Sequence, residues 1–359
     1  MLKLSYTVFV FALITALVVV TLFPMTDLQI WWVRAMDFPR IQILVAGVFI
    51  AFLCLFLATK LRVPALLVTL AFSGFQAWTI FPYTPLAQTE IELASRDDSQ
   101  LQFLAANVLM ENRDHRAIAD MILREDPDVV FLMETDQTWV DALAPVLGNY
   151  NDVLMHPQDN HYGLIFATKL AGEGARLLDI GDADKPTLFA EMQDRQGKVF
   201  RFVGLHPPPP VPGQDTDTRD AKIAYAARFA RKSGVPVVIM GDFNQAAWSH
   251  LALQFKRLGG YLDPRIGRGP LPSFDATHPL LRYPIDQLYV TPDVAVVNFS
   301  RGENIGSDHF PMLATIRIDP ELAGELNSAP EQLEQDELAD IEKMVDDYAA
   351  TLEIDIRDR

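Results

Sequence analysis

The chain has 359 residues, half of them hydrophobic, and a formal net charge of −17 that is unevenly distributed. Five of its 30 basic and two of its 47 acidic residues precede position 84, which leaves a net charge of −20 for the remainder. So acidic a segment argues against a protein that binds duplex DNA or RNA, because such proteins neutralise the phosphates with Lys and Arg. A single cysteine, Cys54, excludes an intrachain disulfide and a cysteine-based zinc site.

Residues 1–83 contain three apolar stretches, which we predict to be a membrane anchor of three helices. The stretches cover 5–23, 41–58 and 63–81, each close to the roughly 20 residues that a helix needs to cross a bilayer. Tryptophans at 31, 32 and 78 lie near their ends, as in an interfacial aromatic belt. A cleaved signal peptide or the buried helices of a soluble core fit less well, because no clear cleavage site is present and the three stretches follow one another.

The short connection between the second and third stretches sets the predicted orientation. It carries Lys60 and Arg62, and positively charged short loops favour the cytoplasmic side. Lys3 then lies on the same side, and three crossings place residue 84 onward in the periplasm or the extracellular space. The predicted location is therefore the cell inner membrane or plasma membrane, although the first loop also holds two arginines beside two aspartates.

Residues 84–100 are predicted to be a linker, and residues 101–318 an α/β domain. In the domain, short apolar runs bounded by turn residues alternate with amphipathic segments, which favours a layered α/β fold. The predicted strands are LQFLAANVL, DVVFLME, HYGLIFATK, TLFAEMQD, KVFRFVGLH, PVVIMGDFN, PIDQLYV and MLATIRI. The predicted helices are RAIADMILRED, DQTWVDALAPVL and RDAKIAYAARFARKS.

Residues 319–359 form an acidic, helical tail in this interpretation. One apolar stripe at alternating three- and four-residue spacing runs along it, formed by Leu338, Ile341, Val345, Tyr348 and Leu352. The stripe predicts a helix that docks on the domain or a tail that stays in solvent, and a coiled-coil contact with a partner is the less favoured alternative.

Polar side chains follow the ends of the predicted buried strands. They are Asn107, Glu134, His206, Asp242, Asn244, Asp286, Asp308 and His309. Each of these residues, taken alone, is explained by a structural role such as a helix cap, a turn residue or a histidine packed at a strand end. Together they form an oxygen-rich set suited to Mg²⁺ or Mn²⁺, with two histidines that suit the activation of water against a phosphorus centre.

The motifs FLME, LH, GDFN, IDQLYV and GSDHFP, in this order, resemble the endonuclease/exonuclease/phosphatase superfamily, the DNase I-like proteins. The resemblance covers residues 100 to 318. It implies a two-sheet, four-layer α/β sandwich with the site at one end of the sheets. It also implies hydrolysis of a phosphate ester with Mg²⁺ or Mn²⁺.

The resemblance also implies a role for each residue. Glu134 would be the principal metal ligand, with Asn107 beside it and Asp308 near the same cation. His309 would contact the scissile phosphate or act as the base, oriented by Asp286.

Three further residues complete the implied machinery. Asp242 would polarise or position the attacking water, Asn244 would hold a phosphate oxygen and His206 would donate to the phosphate. Whether Asp242 or His309 is the base stays open.

The chain lacks features of some branches of this superfamily, which narrows the choice of branch. The chain lacks the arginine after GDFN and the CDR segment of the inositol phosphatases, and the tryptophan-rich loops of the abasic-site nucleases. The apolar stretches, HPPPP and PLLRYPID resemble a membrane-anchored bacterial branch instead. Gln287 stands where that branch frequently has a histidine.

The leading hypothesis is a membrane-anchored, metal-dependent phosphohydrolase that acts outside the cytoplasm on a phosphate ester or pyrophosphate, with a lipid-linked substrate as one candidate. An extracytoplasmic nuclease of the same fold is the first alternative, and the acidic charge makes nucleic acid a less favoured partner. The second alternative is a non-catalytic, membrane-tethered binding module.

Overall fold

The structure is a computed structural model. It describes residues 2–26, 28, 30–178, 184–212, 223–227 and 234–331, and in the tail residues 333, 338–339, 342–343, 346–347 and 350.

The N-terminal region contains three long apolar helices and one short one. These are α1 (Leu2–Leu22), α2 (Trp31–Ala35), α3 (Arg40–Cys54) and α4 (Arg62–Ile80). Among the described residues, two segments are long and apolar enough to cross a membrane, Lys3–Met25 and Arg62–Tyr83.

Of the three predicted spans, two are therefore long enough as helices, and the second is shorter than predicted. Helix α3 has 15 residues and ends at Cys54, so at 1.5 Å per residue it is about 22 Å long, short of a hydrocarbon core of about 30 Å. Residues 55–57 are as apolar as those before them, but they leave the helix through a turn. Hydropathy alone does not indicate where a helix ends.

In the domain that follows, the described residues form eleven strands in two sheets. The strands are β1 (Leu101–Asn107), β2 (Val129–Met133), β3 (Asp152–His156), β4 (Leu164–Thr168), β5 (Gly172–Leu178), β6 (Thr187–Gln193), β7 (Val199–Leu205), β8 (Val237–Asp242), β9 (Asp286–Val290), β10 (Ala295–Arg301) and β11 (Met312–Arg317). Sheet I has the order β10-β11-β1-β2-β4-β3, and sheet II the order β5-β6-β7-β8-β9.

The two sheets pack face to face, and helices cover their outer faces. Between the sheets lies a buried cluster in which Phe103, Phe131 and Phe166 of sheet I surround Phe202 of sheet II. Helices α5 (His115–Glu125) and α6 (Gln137–Leu147) pack on sheet I, and α7 (His250–Gly259) and the helical residues 223–227 pack on sheet II. The predicted two-sheet α/β sandwich with four layers is confirmed.

The helices begin where the sequence supplies caps. The side chains of Asp114, Asp136 and Ser249 accept hydrogen bonds from backbone N–H groups in the first turns of α5, α6 and α7. Such caps satisfy donors that a helix leaves without partners at its start. The caps thus fix the residue at which each of these helices begins.

Strand register brings the polar strand ends together. Parallel pairing sets Asn107 against Met133, so that Asn107 and Glu134 are neighbours at the carboxyl ends of β1 and β2. Antiparallel pairing of β8 with β9 sets Asp242 opposite Asp286. Gly241, at φ 148°, permits the close approach of β8 to β7, because a Cβ there would lie 2.0 Å from the Leu205 carbonyl oxygen.

The apolar N-terminal helices contact the domain directly. Tyr83 Oη donates to the Ala247 carbonyl at 2.7 Å, and Trp248 Nε1 donates to the Asp37 carbonyl at 2.7 Å. Around these bonds Ile80 packs with Tyr83, Ala247 and Trp248 in a buried cluster. The loop after β8, which follows Asp242, is thus one of the parts of the domain that meet the N-terminal helices.

Residues 84–100, predicted to be a linker, run along the domain. Ile91 is fully buried in the core between the sheets, and the Ala94 N–H donates to the Val296 carbonyl at 2.8 Å. In the tail, helix α8 (Pro320–Leu326) buries Ala323, and Leu338 packs against the apolar cluster outside sheet II. Other residues of the predicted tail stripe lie outside the described residues: Ile341, Val345, Tyr348 and Leu352.

Candidate active site

The strand ends gather the predicted site residues at one end of the sandwich. They come from the ends of β1, β2, β7, β8 and β9 and from the loop before β11: Asn107, Glu134, His206, Asp242, Asn244, Asp286, Asp308 and His309. Five of them are almost fully buried: Asn107, His206, Asp242, Asp286 and His309.

Asn107 links the two sheets at the centre of this group. Its Nδ2 donates to Glu134 Oε1 at 2.7 Å within sheet I and to Asp242 Oδ2 at 3.2 Å across to sheet II. Its Oδ1 accepts the Leu109 N–H at 3.0 Å. The amide thus holds two carboxylates at a fixed separation across the end of the sandwich.

His309 and Asp286 form a buried pair on the sheet II side. His309 Nδ1 lies 2.8 Å from Asp286 Oδ2, and His309 Nε2 lies 3.6 Å from Asp242 Oδ2. The Phe274 ring packs against the imidazole with centroids 4.9 Å apart. One imidazole nitrogen is therefore engaged by Asp286 and the other faces the Asp242 carboxylate.

His206 faces the same carboxylates from β7. Its Nε2 lies 3.7 Å from Asp242 Oδ2 and 3.9 Å from Glu134 Oε1. The Tyr162 ring packs on it with centroids 5.3 Å apart. His206 Nε2 thus faces both carboxylates without a hydrogen bond to either.

Asn244 lies in the turn that follows Asp242. Its backbone N–H donates to Asp242 Oδ1 at 2.8 Å, and its Nδ2 donates to the Pro207 carbonyl at 2.9 Å. These bonds fix the turn against the loop after β7 and hold the Asp242 carboxylate in place.

His161 is a site residue that the sequence did not reveal. Its Nδ1 lies 3.0 Å from Glu134 Oε2, and its Nε2 lies 3.4 Å from Glu111 Oε1. His161 belongs to the loop before β4. The sequence predicted a strand at this position, and none of the quoted motifs includes the histidine. Its side chain is half exposed, so it forms the solvent side of the Glu134 pocket.

Several of these residues hold a left-handed backbone conformation. Glu134 has φ 62°, His161 φ 67° and Asn244 φ 49°. Residues other than glycine adopt this conformation at a cost and concentrate in functional sites, where the surrounding structure holds them. Gly163 supports the arrangement, because a Cβ there would lie 1.9 Å from the Thr135 carbonyl oxygen.

The environment separates the pKa values of the histidines. Burial lowers the pKa of His309, but Asp286 and Asp242 outweigh burial and raise it to about 10. Burial, reinforced by the charge of His309, lowers the pKa of His206 to about 4. At neutral pH one imidazole is therefore a cation and the other is neutral.

The carboxyl groups are shifted by the same surroundings. Burial raises the pKa of Asp242 to about 7 and also raises the pKa of Asp308. Burial acts on Glu134 in the same direction, but the nearby His206, Asn107 and His161 bring its pKa below the usual value. Glu134 is thus an anion at neutral pH.

The residues present fit a divalent cation. Asp242, Asp286 and His309 each offer one donor atom, and these atoms lie within 4.8 Å of one another. Asn107 and Glu134 adjoin this group through the bonds of the Asn107 amide. Hard cations such as Mg²⁺ and Mn²⁺ prefer oxygen donors such as the carboxylates of Asp242 and Asp286, whereas the protonated His309 imidazole offers no lone pair. In the predicted assignment the ligands are Asn107, Glu134 and Asp308, whereas the compact donor group lies on the sheet II side.

Gln287 lies beneath the site rather than in it. Its Oε1 accepts from Arg265 Nη2 at 2.9 Å and from Tyr289 Oη at 2.6 Å, and its Nε2 donates to the Gln245 carbonyl at 2.7 Å. All three bonds are buried. The glutamine therefore supports the loop after β8.

Comparisons with solved structures agree on the fold. TDP2 from D. rerio, in a form humanized by 14 mutations, matches with a TM-score of 0.51 and 17% identity, over 61% of this chain and 100% of that chain. An endonuclease/exonuclease/phosphatase from Bacteroides vulgatus matches with a TM-score of 0.51 and 18% identity, over 62% of this chain and 100% of that chain. At these identities the likeness concerns the fold alone.

Comparisons of sequence give the family. A search of curated proteins found no significant match. The model of the Endonuclease/Exonuclease/phosphatase family matches residues 104–309, which is more than half of the chain and contains every residue of the site described above. This chain therefore belongs to the Endonuclease/Exonuclease/phosphatase family, whose members hydrolyse phosphoester bonds.

Proposed function

We propose that this protein is a membrane-anchored phosphohydrolase that depends on a divalent cation and cleaves a lipid-linked phosphate ester or pyrophosphate outside the cytoplasm. The observation that carries the proposal is the His309–Asp286 pair, 2.8 Å apart, facing the Asp242 carboxylate and the Asn107–Glu134 pair across the end of the sandwich. This arrangement supplies a cation for phosphate, a base for water and donors for a bound divalent ion.

In this proposal each side chain of the site has a separate role in hydrolysis. The His309 imidazolium, oriented by Asp286, binds the scissile phosphate. Asp242, with its pKa raised to about 7, takes a proton from the attacking water as the water oxygen bonds to phosphorus and the bond to the leaving oxygen breaks. His206 and Asn244 donate to phosphate oxygens as their charge grows. A divalent cation on Glu134, Asn107 and Asp308 would neutralise negative charge on the phosphate and the leaving group.

Charges at the two ends of the apolar helices support an extracytoplasmic domain. Lys3, Lys60 and Arg62 are exposed at the end away from the domain. At the domain end, Arg34 donates to backbone carbonyls, and Arg40 forms an ion pair with Asp37 at 2.5 Å. The free positive charges thus lie on the far side, which the positive-inside rule assigns to the cytoplasm.

The contact between the domain and the N-terminal helices supports a substrate at the membrane. Tyr83, just after α4, binds the loop after β8, and Trp248 of that loop binds Asp37 between α2 and α3. The loop directly follows Asp242. The site end of the sandwich is thus the end nearest the helices. Tethering at this position raises the effective concentration of the enzyme toward phosphates at the bilayer surface.

The test is a substrate panel with the full chain in detergent or vesicles, stripped of metal and then supplied with Mg²⁺ or Mn²⁺. We expect hydrolysis of a lipid-linked phosphate or pyrophosphate and of bis-p-nitrophenyl phosphate or p-nitrophenyl phosphate, and loss of both in His309→Ala. The matched control is His250→Ala, because His250 is an exposed histidine at the start of α7. Cleavage of DNA without cleavage of any lipid phosphate would overturn the substrate assignment, and no hydrolysis by a folded chain would overturn the enzyme.

A further inference from the structure

The segment 274–283, here called the 274–283 loop, is closed on itself just before β9. The Phe274 N–H donates to the Tyr283 carbonyl at 3.1 Å, and the Asp275 N–H donates to the Leu281 carbonyl at 3.1 Å. The Arg282 guanidinium donates back to the Ala276 carbonyl at 3.2 Å. The loop therefore presents its tip in a defined direction.

One side of this loop is part of the wall of the active site. Phe274 forms a backbone bridge with His309 and packs its ring on the imidazole. The Ala276 N–H donates to the Asp308 carbonyl at 2.7 Å. Any displacement of the loop thus acts directly on two residues of the site.

The other side of the loop contacts the N-terminal helices. Gln42 Nε2 donates to the Leu280 carbonyl at 2.7 Å, and the Phe38 ring meets the Tyr283 ring edge-on at 5.6 Å. Gln42 belongs to the first turn of α3. The tip of the loop therefore lies level with the domain end of the apolar helices.

The tip exposes two large apolar side chains. Leu280 is 83% exposed and Leu281 is 49% exposed. The same end of the apolar helices exposes further large apolar side chains: Met25, Leu28, Ile30, Trp31, Trp32, Phe81 and Leu86. A group of exposed large apolar side chains at one end of a molecule indicates a contact with a membrane or a partner. Continuity with helices that are long enough to cross a bilayer favours the lipid surface.

We propose that Leu280 and Leu281 insert into the lipid surface and hold the mouth of the active site against the bilayer, so that the substrate is an amphiphile whose phosphate enters from the membrane. This inference rests on the proposed function and specifies how its substrate reaches the site. In this proposal the tip of the 274–283 loop contacts lipid, while the rest of the loop contacts α3 and His309.

Two arginines beside the loop suit the charge of such a substrate. The guanidinium groups of Arg282 and Arg301 lie 5.0 and 4.2 Å from the centroid of the Phe310 ring. Phe310 directly follows His309 in the chain. Positive charge at the membrane surface attracts anionic headgroups, and these two cations lie on the ring of the residue next to His309.

Depth measurement tests the insertion without any activity. In a Cys54→Ser background, Leu280→Cys carries a nitroxide label in the full chain, reconstituted in phosphatidylcholine and phosphatidylglycerol vesicles. Leu123→Cys is the control, because Leu123 is 57% exposed and lies near the end of α5, which leads away from the site to the start of β2. We expect label 280 to collide more with oxygen and less with an aqueous nickel chelate than label 123. Equal accessibility at the two positions would overturn the proposal.

A kinetic arm separates this inference from the proposed function. The double variant Leu280→Ser, Leu281→Ser should hydrolyse a soluble aryl phosphate at the wild-type rate and a phosphorylated lipid in vesicles about tenfold more slowly, because two apolar anchors are lost. Equal losses on both substrates would contradict the proposal. If the wild type hydrolyses neither substrate, the proposed function fails, while the depth measurement still decides the insertion.

Self-association is the competing use of the same apolar surface. Label 280 should show no dipolar broadening at low protein density in the vesicles. Broadening that persists on dilution with lipid would place a second copy on the tip and overturn insertion into lipid.

Discussion

His309 Nδ1 lies 2.8 Å from Asp286 Oδ2, and both side chains are almost fully buried. Asp286 starts β9 opposite Asp242, whereas His309 comes from the loop before β11 in the other sheet. The pair therefore joins the two sheets at the point where the chemistry is proposed to occur. Its electrostatic consequence is a histidine that stays protonated at neutral pH.

Removal of the Asp286 charge should lower the pKa of His309. The aspartate is the first of the two carboxylates that raise this pKa to about 10, so in Asp286→Asn it should fall toward the ordinary histidine value of about 6.5. NMR titration of the imidazole in chelator-treated protein measures it. We also expect kcat on a soluble phosphate ester to fall by about a hundredfold or more. Asp293→Asn, which changes the turn after β9, is the control, and an unchanged His309 pKa in Asp286→Asn would contradict the assigned pairing.

Glu134→Gln should weaken cation binding. The substitution keeps the size of the side chain but removes the anion beside Asn107, with which Glu134 shares a 2.7 Å hydrogen bond. In a Mn²⁺ titration monitored by electron paramagnetic resonance, this variant should bind one ion fewer or bind it markedly more weakly. Glu303→Gln removes an exposed carboxylate and should bind Mn²⁺ as the wild type does. Equal binding by the two variants would exclude Glu134 as a ligand.

His161→Ala should raise the cation concentration needed for half-maximal activity. His161 holds Glu134 Oε2 at 3.0 Å, and loss of a side chain that orients a ligand typically costs about 10- to 100-fold in metal affinity or activity. Activity at saturating Mn²⁺ should recover more than activity at limiting Mn²⁺. His156→Ala, on the edge strand β3, serves as the comparison. A loss that is equal at all Mn²⁺ concentrations would contradict this role.

Trp248→Phe should loosen the contact between the domain and the N-terminal helices. It removes the indole N–H that donates to the Asp37 carbonyl at 2.7 Å and leaves that buried acceptor without this partner, at a cost of about 1–3 kcal/mol. A lower Tm of the full chain in detergent should reveal the loss. Trp78→Phe is the control, because Trp78 is 77% exposed. Equal Tm values for the two variants would show that the bond does not stabilise the junction.

The sequence predicted the central strands better than the edge strands. Buried apolar runs indicated β1, β2, β4, β6, β7, β8, β9 and β11, whereas β3, β5 and β10 were not predicted. All three lie at sheet edges. An edge strand exposes part of its side chains to solvent, so its sequence is less apolar and lacks a clear pattern. Helix α7 was also not predicted, although Ser249 and Gly260 cap its two ends.

The site was predicted where residues follow strands and was missed where a loop supplies them. Glu134 directly follows β2 and Asp242 ends β8, so their proximity follows from the sheets. His161 reaches Glu134 only because the loop before β4 folds back over β2, with the Thr135 N–H donating to the Gly163 carbonyl at 3.0 Å. No periodicity in the sequence records such a contact.

The most direct test of the central claim is phosphate release by the purified full chain, stripped of metal and then titrated with Mn²⁺, beside its Glu134→Gln and His309→Ala variants. The proposed function predicts release that depends on Mn²⁺ in the wild type and is lost in both variants while all three remain folded. Equal release by the wild type and the variants, or none from a folded wild type on any phosphate ester or pyrophosphate, would contradict it.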